Sequence, residues 1–278
     1  MPGSNRRALE KGRSLPADGL ILDLEDAVAP AAKEEARRLV HEALAEGGYG
    51  HRELIVRING PDSPWGRDDL AAAATSGADA ILLPKVESAD AVRSAEEALR
   101  AAGAPETLRL WCMVETPLGV LNVREIAAAS PRLEALVMGT SDLAKDLHAA
   151  HTPARLPLLA SLGLCVLAAR AYGLAIIDGV HLDLDDDEGF AESCRQGAEM
   201  GFDGKSLIHP KTIAAANRAF APSPDDIARS RGIADAHAEA MAAGKGVVVV
   251  DGRLVEALHV AEAARLIALA DAIAARQP

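Results

Sequence analysis

The sequence predicts an α/β fold of the TIM-barrel, (β/α)8, type. Three observations lead there. Short apolar runs alternate with helical segments over most of the chain, the rhythm of parallel strands joined by crossover helices. Several of those runs end on a charged residue followed by a turn, and a parallel barrel does its chemistry at the carboxyl ends of its strands. The 278 residues are 49% hydrophobic and 25% charged, an ordinary globular balance with enough apolar side chains for one large core.

Residues 4–14 read as a short helix capped by Ser4 or Asn5. The run Leu20-Ile21-Leu22-Asp23-Leu24-Glu25-Asp26 is a buried strand ending in acids. Pro30 opens a helix to about residue 46, with Leu39, Val40 and Leu44 on its inner stripe. Residues 54–58 form the next strand, broken by Gly60 and Pro61, and residues 65–75 a short helix. A strand at 80–83 leads to Lys85, and Ser88 caps a helix to about residue 101. Residues 108–114 and 136–138 are two central strands flanking a helical segment. A long Leu- and Ala-rich helix covers 155–172, a strand 175–177, a helix 185–200 and a last strand and turn 203–210. The strand candidates thus lie near residues 20, 54, 80, 108, 135, 175 and 204. A closed barrel needs eight, so the predicted barrel lacks a recognisable first strand.

After Phe220 the pattern changes. Ala221-Pro222-Ser223-Pro224 resembles a hinge, and residues 225–242 a helix. Residues 247–250, the Asp251-Gly252 turn and Leu254 suggest a hairpin, followed by a helix over 256–275. The expected organisation is a catalytic barrel over 1–220 and a lid-like helical and hairpin extension over 221–278, of the kind that covers an active site.

Composition narrows the partners. Net charge is −12 and aromatics make up 3% of the chain, which argues against nucleic acid and anionic membrane. A local arginine and a metal still suit an anionic substrate. Cys112, Cys165 and Cys194 are scattered, with no zinc-type spacing, and read as reduced, buried thiols. No signal peptide or membrane-spanning run is visible, so the expected location is cytoplasmic.

Glu115 and Asp142 follow two consecutive central strands and make a natural oxygen pair for a hard ion such as Mg²⁺. Taken alone, each is equally a solvated loop acid, and Asp142 a cap of the following helix. Arg57 sits at a strand end, suited either to bidentate grip on a substrate carboxylate or to an ion pair with Glu25 or Asp26. Lys85 and Lys205 also occupy strand ends, where a salt bridge or phosphate contact is the simpler reading than a Schiff base. His209 reads as a capping imidazole more readily than as a general base. Gly139, Thr140 and Ser141 place backbone N–H groups and hydroxyls beside Asp142, a cradle for a substrate oxygen.

In chain order the motifs are Pro2-Gly3-Ser4-Asn5, Leu22-Asp23-Leu24-Glu25-Asp26-Ala27-Val28, Arg57-Ile58-Asn59, Leu83-Pro84-Lys85, Glu115-Thr116, Gly139-Thr140-Ser141-Asp142-Leu143, Gly201-Phe202-Asp203-Gly204-Lys205 and Ile208-His209-Pro210. Together they resemble the citrate lyase β-subunit-like family, which includes the malyl-CoA and citramalyl-CoA lyases. The resemblance spans nearly the whole chain. It implies a Mg²⁺-dependent carbon–carbon lyase on a TIM barrel. Such an enzyme splits a 3-hydroxyacyl thioester, carried on CoA or an acyl-carrier protein, into an acyl thioester and a 2-oxo acid. By motif, Glu115 and Asp142 bind the metal, Arg57 holds substrate and stabilises the enolate, and Glu25 and Asp26 stand behind the metal. Asp26 is also a catalytic candidate, and Gly139, Thr140 and Ser141 line the substrate.

Two departures are visible. The family's opening Arg-Ser-x-Leu-Phe strand precedes Pro-Gly, whereas here the sequence starts at Met1-Pro2-Gly3; the expectation is that this strand is encoded upstream or is missing from the barrel. The family's tail carries an acid–base Asp, donated between subunits, where this chain has Glu256. The resemblance therefore implies a homo-oligomer, a trimer or its multiple. The alternatives are a metal-dependent aldolase acting on free 2-oxo acids, and a catalytically silent family member acting as a subunit.

Overall fold

The computed structural model describes residues 1–242, 244, 248–250 and 252–276. Two compact units are present, Met1–Ala219 and Phe220–Pro278. The first holds α1 (Arg6–Gly12), β1 (Gly19–Asp23), α2 (Lys33–Glu46), β2 (Glu53–Arg57), α3 (Gly66–Ala73), β3 (Ala80–Leu83) and α4 (Ala89–Ala101). It continues with β4 (Arg109–Val114), α5 (Pro117–Leu121), α6 (Val123–Ala127), β5 (Leu133–Met138), α7 (Thr140–Asp146) and α8 (Leu159–Tyr172). β6 (Ala175–Asp178), α9 (Asp187–Met200), β7 (Gly204–Lys205) and α10 (Ile213–Phe220) complete the series.

The seven strands form one curled parallel sheet in the order β1-β2-β3-β4-β5-β6-β7. Every strand expected from the sequence is there. The edge that an eighth strand would occupy is marked by the residues before α1. Pro2 bridges Asp23 in parallel, with Gly3 N donating to Asp23 O at 2.8 Å and Asp23 N to Met1 O at 2.8 Å. At its carboxyl end β1 is therefore paired on both sides.

The period of two along each strand sorts the side chains into two layers. Ile55, Ala80, Leu82, Trp111, Met113, Ala135 and Val137 pack into one buried cluster, with Ile21, Ala175 and Ile177 against it; these are the residues inside the curl. The alternate set, including Leu22, Val56, Ile81, Leu110, Cys112, Leu136 and Ile176, is fully buried under the helices. Extending the inner set by two residues toward the carboxyl ends gives Asp23, Arg57 and Glu115, which places the polar candidates directly above the apolar interior.

Local chemistry explains the helix starts. Asn5 accepts from Ala8 N at 3.1 Å, Ser88 from Ala91 N at 3.2 Å, and Thr116 from Gly119 N at 3.0 Å; each satisfies a first-turn N–H. The sequence placed one helical segment between the central strands. Two short helices stand there, separated at Asn122. β7 spans two residues, shorter than the expected run.

The second unit contains α11 (Pro224–Ala242), the antiparallel pair β8 (Val248–Val250) and β9 (Arg253–Val255), and α12 (Ala257–Arg276). Gly252 turns between the strands with φ of +75°, a conformation glycine adopts without a Cβ penalty. Asp251, the other half of the expected turn, lies outside the described residues. No helix among the described residues is long and apolar enough to cross a membrane. Cys112, Cys165 and Cys194 are free and buried.

Candidate active site at the carboxyl ends of the strands

Asp23 and Arg57 are direct partners in the β1–β2 register. Their side chains form a two-pronged ion pair: Arg57 Nε donates to Asp23 Oδ1 at 2.6 Å and Nη2 to Oδ2 at 2.5 Å. The same carboxylate accepts from Glu25 N at 2.9 Å and Ala27 N at 3.1 Å. Burial acts to raise the Asp23 pKa. Arg57 and the two backbone donors outweigh it, and the group is held below the ordinary carboxylate value. Arg57 Nη1 also meets Glu25 at 2.9 Å and Asp26 at 3.9 Å. Asp26 is mostly exposed, whereas Asp23 and Glu25 are buried. For Glu25, burial is the main cause of a raised pKa, with Arg57 opposing it and Asp26 adding to it.

Arg57 thus satisfies the ion-pair alternative with both Glu25 and Asp26, and its principal partner is Asp23, which the sequence reading passed over. The visible signal was an acid closing the otherwise apolar run 20–23. What could not be read from sequence was the strand register that sets it opposite Arg57.

Glu115 follows β4, and Gly139 follows β5. Val114 pairs with Met138, and Gly139 N donates to Val114 O at 3.1 Å, so the two residues stand side by side. A Cβ on Gly139 would lie 2.3 Å from Glu115 Cβ and 2.5 Å from its Oε2; only glycine lets the carboxylate lie across the β5 end. Glu115 Oε1 accepts from Lys85 N at 2.8 Å, and Lys85 itself has φ of +48°. Burial pushes the Glu115 pKa up to about 7, against the Lys85 N–H and with help from the charges of Glu25 and Asp142.

Asp142 lies in the first turn of α7 but does not cap it: the cap position is Gly139, with no side-chain cap bond. That removes the structural alternative of a capping acid. Its carboxylate is 3.5 Å from Lys85 Nζ. Thr140 is buried and sits where a Cβ on Gly179 would come within 2.3 Å of its Oγ1. Ser141 Oγ is buried with no hydrogen-bond partner, an orphaned polar atom one residue from Asp142.

The structure therefore brings Asp23, Glu25, Asp26, Arg57, Lys85, Glu115, Gly139, Thr140, Ser141 and Asp142 to the carboxyl ends of β1 to β5. Glu256 is exposed in the second unit, where its backbone N donates to His259 Nδ1 at 3.0 Å. Lys205 stands apart. It belongs to the helix-facing layer: its Nζ is 2.8 Å from Asp178 Oδ2, both side chains are fully buried, and Arg155 grips the same carboxylate at 2.7 and 2.8 Å. That is a structural ion network. His209 Nδ1 accepts from Lys211 N at 3.1 Å, the capping role expected.

No cluster of three or more His, Cys, Asp or Glu side chains poised for a metal is found among the described residues. Mg²⁺ does not need one, since it binds through one or two carboxylates and fills its octahedron with water and substrate. Glu115 and Asp142 supply two hard oxygen donors. The under-compensated burial of Glu115 and the unpartnered Ser141 Oγ fit a site that a cation and a polar ligand complete.

Three comparisons with known proteins converge on one family. The family model described as HpcH/HpaI aldolase/citrate lyase matches residues 1–210. A (3S)-malyl-CoA thioesterase of Cereibacter sphaeroides is 52% identical over 99% of this chain and 94% of its own. The citrate lyase subunit beta of Leuconostoc mesenteroides subsp. cremoris is 38% identical over 98% and 92%. Among solved structures, CitE of Mycobacterium tuberculosis in complex with magnesium, acetoacetate and coenzyme A is 28% identical, covers 98% of this chain and 96% of its own, and superposes with a TM-score of 0.76.

Proposed function

Because the chain belongs to the HpcH/HpaI aldolase/citrate lyase family, we propose that it is a Mg²⁺-dependent enzyme acting on a malyl-type CoA thioester, and that it hydrolyses the thioester bond. The observation that carries this reading is the likeness to malyl-CoA thioesterase across nearly the whole of both chains. The geometry supports it. Glu115 and Asp142 would hold the ion. Bound there, Mg²⁺ supplies Lewis-acid charge for the hydroxy-carboxylate end of the substrate.

The protein's own groups do the rest. Asp23 and Glu25 fix the plane of Arg57, and of the guanidinium's five N–H donors those not engaged by the two acids would face the thioester oxygen. Negative charge gathers on that oxygen in the transition state, and a preoriented cation stabilises it without reorganising. Gly139, Thr140 and Ser141 take the substrate's carboxylate end. Glu25 and Asp26 orient water beside the metal. Glu256 is the proposed acid–base group, donated by the C-terminal unit acting as a lid on a neighbouring copy in a trimer or its multiple.

A second reading is favoured by the likeness to citrate lyase subunit beta: cleavage of the carbon–carbon bond, with Arg57 stabilising an enolate instead of a tetrahedral oxyanion. One assay separates the two. Malyl-CoA and MgCl2 are incubated with the protein, and free thiol, acetyl-CoA and glyoxylate are measured together. Thiol and malate without glyoxylate supports hydrolysis. Acetyl-CoA with glyoxylate supports cleavage. No turnover of malyl-CoA, or turnover that persists in EDTA, overturns the proposal.

A further inference from the structure

Lys85 is unexplained by the roles above, and its setting is unusual. It has left-handed backbone, φ +48°, which costs a residue with a Cβ on the order of 1 kcal/mol or more. What holds it there is its own N–H, donated to Glu115 Oε1 at 2.8 Å. Its Nζ lies 3.5 Å from Asp142 Oδ2. The backbone thus engages one proposed metal ligand while the ammonium engages the other. The charges that bear most strongly on Lys85 are acidic: Asp142, Glu25, Asp26 and Glu115. Arg57, the other cation of the site, is tied to Asp23 and Glu25. The ammonium is half-exposed, at the end of a flexible stem, and can move away from Asp142 without unpacking the fold.

We infer that Lys85 is a tethered cation that competes with the divalent ion for Asp142, and so sets how tightly this pocket binds metal. This rests on the reading of Glu115 and Asp142 as ligands. A divalent ion held by Asp142 would draw on the same carboxylate charge that holds the ammonium at 3.5 Å, and would set a like charge beside it, so the two cations compete for one acid. Binding therefore drives the Lys85 side chain off Asp142. The strained backbone keeps its N–H on Glu115 in either position, so the lysine is displaced without releasing that ligand.

The test is titration of MgCl2 and MnCl2 into EDTA-treated, dialysed protein by calorimetry. Lys85→Met removes the competitor and is expected to bind both ions about tenfold more tightly than wild type. Lys85→Arg keeps the charge and is expected to stay near wild type. Unchanged or weaker binding by Lys85→Met, or Lys85→Arg behaving like Lys85→Met, overturns the inference. Should Lys85→Met fold only with Mn²⁺ present, that supports it, since the ion then replaces the lost cation.

A measurement on wild type needs no variant. Acylation of Lys85 by a succinimidyl ester, read by peptide mass spectrometry, is expected to speed up severalfold on adding MgCl2. No change or protection overturns the inference. Wild type that binds neither ion overturns the ligand assignment and this inference with it. Wild type that binds while Lys85→Met matches it overturns only the competition.

Discussion

Glu115→Gln is expected to make the metal-free protein more stable while abolishing its response to Mg²⁺. The carboxyl of Glu115 is pushed from an ordinary 4.5 to about 7, mainly by burial. The sign follows from linkage. Between those two values the folded state keeps a proton that the unfolded chain has given up, so stability falls as pH rises through the window and the full cost is reached above about pH 7. At 1.36 kcal/mol per pH unit the gap corresponds to about 3 kcal/mol.

A glutamine has no charge to desolvate, and its Oε1 still accepts from Lys85 N. In EDTA at pH 8 the variant is therefore expected to exceed wild type by up to about 3 kcal/mol, the difference closing as pH falls below about 5. The assay is urea unfolding of both proteins at pH 5 and pH 8, repeated with MgCl2. Groups common to both proteins cancel in the comparison. With MgCl2 the order reverses, because only wild type gains ligand-binding free energy. A variant no more stable than wild type at pH 8 in EDTA, or one that MgCl2 stabilises equally, refutes the account of Glu115 as an acid buried for a cation.

Two further outcomes follow from the ion pairs. Asp23→Asn leaves the buried Arg57 fork half-compensated and is expected to cost about 3 kcal/mol in urea unfolding at pH 7. Because the Asp23 pKa is depressed in the folded state, its contribution is present above the ordinary value of 3.8 and lost as pH falls through the folded one, so the gap to wild type narrows in acid. Asp178→Asn strips the shared carboxylate from Arg155 and the fully buried Lys205, with an expected loss of about 3–5 kcal/mol. Its Mg²⁺ affinity, measured well below Tm, stays that of wild type; a parallel loss of affinity would show that this network reaches the site.

The strands were legible because each is a compact apolar run bounded by glycine, proline or a charge, and the alternation with helices fixes a parallel sheet. Less was legible where tertiary geometry decides. The segment between β4 and β5 carries helical composition throughout, yet Asn122 splits it, and no local residue pattern announces a break there. β7 was overestimated for a related reason: the run 203–208 is extended in composition, but only Gly204 and Lys205 find ladder partners on β6. The bridge at Pro2 was hidden as well, because three residues before a helix look like a plain lead-in until β1 is beside them.

The site divides along the same line. Glu115, Asp142 and Arg57 were readable as strand-end residues, but which way a strand-end residue faces depends on its parity with the apolar residues before it. Arg57 shares the parity of Ile55, and Glu115 that of Met113, both members of the inner cluster. Asp178 shares the parity of Ile176 and so turns outward, carrying Lys205 away from the mouth. Lys205 and Arg57 looked equivalent as cations at strand ends, and one position of parity along the strand separates a fully buried pair with Asp178 under the helices from an ion pair with Asp23 at the mouth. Asp23 obeys the same parity as Ile21 and so belongs to the mouth. Its carboxylate is spent on Arg57 and two backbone N–H groups, which is why it holds the guanidinium in place, whereas the partners of Glu115 and Asp142 are the N–H and the ammonium of Lys85.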